Sequence, residues 1–434
     1  MTDLKTFNPF DPAALQCPFP HYAQMREEQP VLHLESMNMY LVTRHDLVLK
    51  VIRDVETYSS EFGVSNGGGM GGEGRERMAD VVAEGYPRVS TMLTADMPEH
   101  TRYRRLVSKA FTPKVIAELE PVIRSITTRL LDAIFAEGND GGAGDRSGRR
   151  RIEFVEQFGV PLPVEVIAHA LNVPDERLAD FKRWSDDSIA GIGTNISIDD
   201  RIEAERGVNE FQHYFAEQLE QRKTAPQDDL LTNLLNARVD DDDPDVTDKR
   251  PLDMPEMLSI VQQLLVAGNE TTTKLLTETV RLLAENPDEW TALQNDPGRA
   301  PAVVEEALRM STPTQGMFRI STTDHELEGV HIPKGATMMI LFAAANRDPE
   351  LFDDPDGFDP DRDNLRDHLA FGKGIHFCLG AALSRLEGKV ALEEFARRVE
   401  RFELADTNEF EYFPSFMLRG LQRLDVDVTP KAGV

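Results

Sequence analysis

Phe371-Gly372-Lys373-Gly374-Ile375-His376-Phe377-Cys378-Leu379-Gly380 runs directly into Ala381-Ala382-Leu383-Ser384-Arg385-Leu386-Glu387. Leu379, Leu383, Leu386 and Val390 recur at helical spacing, which predicts a glycine-punctuated loop feeding an amphipathic helix, with Cys378 at its N-terminus. Free N–H groups and the positive end of a helix dipole stabilise an anion, so a thiol there is biased toward thiolate, the form that binds metals. Gly372, Gly374 and Gly380 let such a loop bend tightly and let a flat partner approach the backbone. A lone cysteine before a helix is most often just a small buried side chain. The pattern around Cys378 is what argues for more.

That ten-residue pattern resembles the haem-binding loop of the cytochrome P450 family, in which phenylalanine, two glycines, a basic residue and the cysteine recur at this spacing. The resemblance implies haem b as cofactor, with Cys378 as axial iron ligand, Phe371 and Gly372 shaping the loop, and His376 reaching a haem propionate. It extends over residues 8–428. It implies a mainly α fold with small β-sheets, with haem between a long central helix and the helix after the cysteine loop, and a single domain over 1–434.

The chain has 434 residues, with Lys plus Arg 47 against Asp plus Glu 76, a net charge of −29. Such a surface repels nucleic acid and anionic membrane on average, so neither is expected as a partner. Two distant cysteines cannot build a disulfide framework, which fits a reducing compartment. Without a signal-like start or an apolar run of spanning length, the expectation is a cytoplasmic monomer with no membrane anchor. Cys17 receives no role.

Residues 1–30 are proline-rich and then helical, and Val31 to Thr43 alternates as one arm of a small sheet. A glycine-dense, flexible loop is expected over about 62–90, as a lid or a surface insertion. Asp96 and Pro98 start a helix on which His100 and Arg104, four apart, share a face suited to a carboxylate, though basic residues are common on any solvated helix. By resemblance, these two residues and Arg319 grip the propionates. A polar, glycine-broken turn spans Ser188 to Ser197, and the resemblance implies that it is the hinge between two helices roofing the substrate pocket. The acidic run Asp240 to Asp245 reads as a solvated loop.

A second long helix, from about Pro255 to Glu285, would be about 45 Å long. Ala267-Gly268-Asn269-Glu270-Thr271-Thr272-Thr273 interrupts it with poor helix formers, which is where function is expected. A threonine bonding back to the i−4 carbonyl could simply bend the helix. The family reading makes Glu270 and Thr271 the catalytic acid and alcohol that relay protons. Glu306 and Arg309, completed by Arg362, would be a structural ion-pair set. Phe413 to Asp427 reads as a closing hairpin. Pocket walls are assigned to Leu93, Gln263, Ala267, Met317, Phe318 and Phe416.

The implied activity is insertion of one oxygen atom of O2 into a hydrophobic small molecule, terpenoid, steroid or fatty-acid-like. The alternative is a haem-thiolate sensor or ligand carrier without turnover, in which an acid–alcohol pair would be unneeded; a peroxide-driven enzyme is a third option. Two cysteines cannot hold an iron–sulfur cluster, and no Gly-x-Gly-x-x-Gly follows a strand, so electrons are expected from a separate ferredoxin and its NAD(P)H-linked reductase. Those ferredoxins are acidic, and Arg105, Lys109, Lys373, Arg385 and Lys389 are the residues expected to dock one.

Overall fold

The computed structural model describes residues 4, 7–62, 72–109, 111–137, 149–192 and 196–432. Its axis is one uninterrupted helix, Met254–Glu285. Asp253 and Glu256 close a capping box at its start, and Asn286 ends it before Pro287, so both boundaries follow from local chemistry. Glu256 is buried there. Burial alone would push its carboxyl up, but Arg102, Arg250, the Asp253 N–H and Tyr103 together hold it down at about 2.

The helix does not break at the 267–273 stretch, and Gly268 has a packing reason. A Cβ on Gly268 would stand 2.6 Å from Ile167 Cγ1, so the missing side chain lets the helix Pro161–Ala170 close against the central one. Leu264, Leu265, Leu275, Leu276, Val280 and Leu283 are buried in the main core beside Val303, Ala307, Leu383 and Val390. These come from the helices Ala300–Ser311 and Ala381–Arg398, which sandwich the cysteine loop's side of the molecule.

The sheets are small and peripheral. Five strands run in the order Val31–Leu34, Met39–Val42, Thr337–Ile340, Met317–Ser321, Tyr58–Ser59. The segment from Val31 is therefore two antiparallel strands, pairing Val31 with Val42, with Asn38 in the left-handed region between them (φ 47°). A three-stranded sheet joins Arg150–Glu153, Asp425–Pro430 and Val399–Leu404. The closing segment is only partly a hairpin: isolated bridges pair Tyr412 with Leu421 and Thr314 with Leu418, and the strand from Asp425 pairs elsewhere. No helix among the described residues is long and apolar enough to cross a membrane.

The loop expected over 62–90 also needs correction. Gly72–Ala83 is a helix, because the glycines give way to helix formers after Gly74. It is docked on the long helix Ile198–Thr224 by Asn209, whose Nδ2 donates to the Val81 carbonyl at 2.6 Å. Residues 63–71, which carry Gly67, Gly68, Gly69 and Gly71 of the expected flexible loop, lie outside the described residues, as do 193–195 of the expected hinge.

Candidate functional site

The cysteine loop is built by backbone chemistry. Gly372 and Gly374 adopt φ 64° and 70°, conformations that side chains disfavour. The Cys378 N–H donates to the Phe371 carbonyl at 3.0 Å, closing the loop on itself. Helix Ala381–Arg398 is capped by Gly380, so Cys378 precedes the helix rather than starting it. Backbone N–H groups of Gly380 and Ala381 still reach its sulfur.

In the protein alone, burial works against the expected bias toward thiolate. Burial pushes the Cys378 thiol up, and the Gly380 N–H, Arg104, Arg385 and the Ala381 N–H only oppose it. A metal cation beside it would favour the thiolate, since a coordinating thiol is deprotonated outright.

Four cationic or basic side chains gather beside the loop. His100 and Arg104 come from the helix Glu99–Ser108, Arg319 from the strand Met317–Ser321, and His376 from the loop. The two imidazoles lie 4.4 Å apart between centroids. His376 Nδ1 faces the Met92 carbonyl at 3.1 Å, and His100 Nε2 is buried without a hydrogen-bond partner. Burial, with Arg104 adding, pushes His100 down to about 4; burial, with His100 and Arg319 adding, does the same to His376. Burial also lowers Arg104, and brings Arg319 down to about 10. Neither arginine has a carboxylate partner among the described residues. An unanswered buried His100 nitrogen beside two arginines that have no carboxylate partner among those residues fits a ligand that brings its own carboxylates, as the two propionates of haem b would.

The central helix turns one face toward open space. Gln263, Val266, Ala267 and Thr271 are accessible and fall at helical spacing on this face, while Gln262, Gly268 and Glu270 are partly accessible beside them. Thr271 Oγ1 donates to the Ala267 carbonyl at 2.8 Å, the back-bond considered above, and it does so without ending the helix. Glu270 is turned to a different partner, an ion pair with Lys274. Lys274 is buried, lies 5.0 Å from the centre of the Phe413 ring and packs where a Gly420 side chain would stand. Burial lowers its pKa and Glu270 opposes that. The sequence reading missed Lys274, although an acid followed by a base four residues on was visible.

Of the assigned pocket walls, Phe318 and Phe416 meet edge to face at 6.1 Å, with Phe62 5.5 Å from Phe318. Met317 is partly buried on the same strand as Phe318, and Leu93 is exposed next to Met92. Glu306, Arg309 and Arg362 form a buried set: Arg309 Nη2 and Arg362 Nε donate to the same Glu306 oxygen at 2.7 and 3.0 Å. Arg309 also donates to the carbonyls of Asn346, Pro355 and Gly357.

The expected basic docking patch is not free. Arg105 pairs with Asp243 and Asp245, and Lys109 with Asp240, so the acidic run is an exposed loop, as expected, that also straps across that helix. Arg385 is forked on Glu305, and Lys389 lies between Glu120 and Glu393. Only Lys373 of the five has no carboxylate partner among the described residues. Beside it, Lys50, Arg53 and Arg366 are exposed and likewise unpaired. They are brought there by contact of the helix His45–Arg53 with the cysteine loop, where Ile52 lies under Gly374.

Comparison with known proteins agrees with this geometry. The family model "Cytochrome P450" matches residues 199–419. Cytochrome P450 107B1 of Saccharopolyspora erythraea is 37% identical over 96% of this chain and 96% of its own. Erythromycin C-12 hydroxylase of the same organism is 36% identical over 93% and 92%. The crystal structure of CYP109E1 from Bacillus megaterium in complex with testosterone superposes with a TM-score of 0.77 at 31% identity, covering 95% of this chain and 99% of that one. A glycine-shaped cysteine loop, carboxylate-seeking donors beside it and this likeness along nearly the whole length have one explanation: the chain belongs to the cytochrome P450 family and is a haem b-dependent monooxygenase.

Proposed function

We propose that this monooxygenase oxidises a large, mostly apolar small molecule, of steroid, terpenoid, macrolide or fatty-acid type, with electrons from a separate ferredoxin. The observation that carries the substrate class is the accessible face of Gln263, Val266, Ala267 and Thr271, together with the aromatic group of Phe62, Phe318 and Phe416. That face offers one amide and one hydroxyl among apolar surface, so shape and hydrophobic area dominate recognition. The macrolide hydroxylase and the steroid complex among its relatives support a bulky ligand. Titrating the ferric protein with such a panel tests this: the class that shifts the Soret band at the lowest concentration is the substrate class. Response only to small polar ligands would refute it.

When bound, haem would supply the activation of O2, and Cys378 would hold its iron and lend it electron density. Residues of the chain position the substrate and handle protons. The Thr271 hydroxyl gives its hydrogen to the Ala267 carbonyl, so its lone pairs are left to accept a hydrogen bond on the open face. Glu270 lies one residue away and can exchange protons with solvent once it leaves Lys274. Thr271→Ala removes the acceptor while leaving the helix intact. Product formed per electron pair is expected to fall by on the order of 10²-fold, with peroxide released in its place; unchanged coupling would rule out the relay.

For the electron donor, the unpaired cations Lys50, Arg53, Arg366 and Lys373 are assigned as the docking patch, on a chain that otherwise repels an acidic protein. Lys373→Glu is expected to slow reduction by ferredoxin severalfold, more so at low salt, with dithionite reduction unaffected. Equal slowing with dithionite would place the defect at the haem instead.

A further inference from the structure

Arg385 was expected on the surface for docking, and the structure gives it a different setting. Its Nε and Nη2 donate to the two oxygens of Glu305 at 2.5 and 3.0 Å, and the guanidinium lies 4.6 Å over the Phe371 ring. Glu305 is buried and has a second partner, His368, whose Nε2 lies 2.9 Å from it. The Ala370 N–H donates to His368 Nδ1 at 3.2 Å. That bond leaves the imidazole proton on Nε2, so His368 donates to Glu305. The three side chains thus grip the loop at Ala370 and Phe371, and the Phe371 carbonyl receives the Cys378 N–H. Burial would raise the Glu305 carboxyl, but His368 and Arg385 hold it at about 2, and Arg385, after the Gly380 N–H and Arg104, opposes the upward push of burial on the Cys378 thiol.

We propose that Arg385, held in place by Glu305 and His368, is a positioning residue that sets the reduction potential of the iron through the charge it presents to the Cys378 sulfur. The proposal rests on ligation by Cys378 and is independent of the proton relay. Reduction adds one electron, taken from the donor, to an iron–sulfur unit that becomes more negative, and a nearby fixed cation favours that state. Glu305 compensates part of the cation's field. The two residues therefore act with opposite sign.

The test is a spectroelectrochemical titration of haem-loaded wild type, Arg385→Met, Glu305→Gln and Arg385→Lys, with the reduced carbonyl spectrum of each recorded first. Arg385→Met is expected to shift the reduction equilibrium about tenfold toward ferric, about 59 mV for one electron, and Glu305→Gln to shift it toward ferrous. Arg385→Lys keeps the charge and should stay near wild type. Shifts of the same sign in Arg385→Met and Glu305→Gln, or none in either, would overturn the proposal, because loosening the loop moves both the same way. If Arg385→Met fails to hold haem, Glu305→Gln and Arg385→Lys decide: a shift toward ferrous in the first with little change in the second sustains it. Absence of a thiolate-type carbonyl band in wild type would instead refute ligation by Cys378.

Discussion

Cys378→Ser is expected to abolish the red-shifted Soret band of the reduced carbonyl adduct, and monooxygenase turnover with it, while the protein still folds. A serine hydroxyl fits the space and can accept from the same Gly380 and Ala381 N–H groups that reach the sulfur. It is nevertheless a hard, weakly acidic ligand that does not supply the electron density of a thiolate. Retention of the band in Cys378→Ser would show that another residue ligates the iron. Loss of the band with turnover intact would show that the thiolate is not needed for oxygen activation.

The second large effect is on stability. Glu306→Leu leaves Arg309 and Arg362 facing each other in the interior, where Arg309 and Glu306 side chains are both 0% exposed. Removing one member of such a set costs about 3–5 kcal/mol, a large share of the about 5–15 kcal/mol that holds a typical protein folded. Poor yield of holoprotein and a much lower urea midpoint are expected. The double variant Glu306→Leu, Arg309→Met should recover part of the loss, since it removes a stranded charge along with its partner. A double variant no better than the single one would mean that Glu306 acts mainly through its bonds to Arg362 and the Asp359 N–H.

What could be read from the chain divides along sequence distance. The cysteine loop, the capping box at Asp253 and the stop at Asn286-Pro287 are local, and each is spelled by residues with special backbone or side-chain chemistry. The pairing of Arg105 and Lys109 with Asp240 to Asp245 was invisible, because it joins segments about 140 residues apart and periodicity carries no information on such contacts. The same holds for Glu305, His368 and Arg385. The helix Gly72–Ala83 was obscured by the glycines that precede it. Gly268 shows the reverse case, in which an unfavourable residue inside a helix reflects the neighbouring Ile167 and not only the chemistry next to it.

Arg104, Arg319, His100 and His376 line one recess in which Asp96 offsets part of the positive charge, and the fold gains free energy when the right dianion fills it. A ligand that binds only the folded state stabilises it by RT ln(1 + [L]/Kd), about 4 kcal/mol at a thousandfold excess over Kd. Haem supply and thermal stability are therefore linked, and the melting temperature is expected to climb with added haemin until the site saturates; a melting temperature indifferent to haemin would break the link.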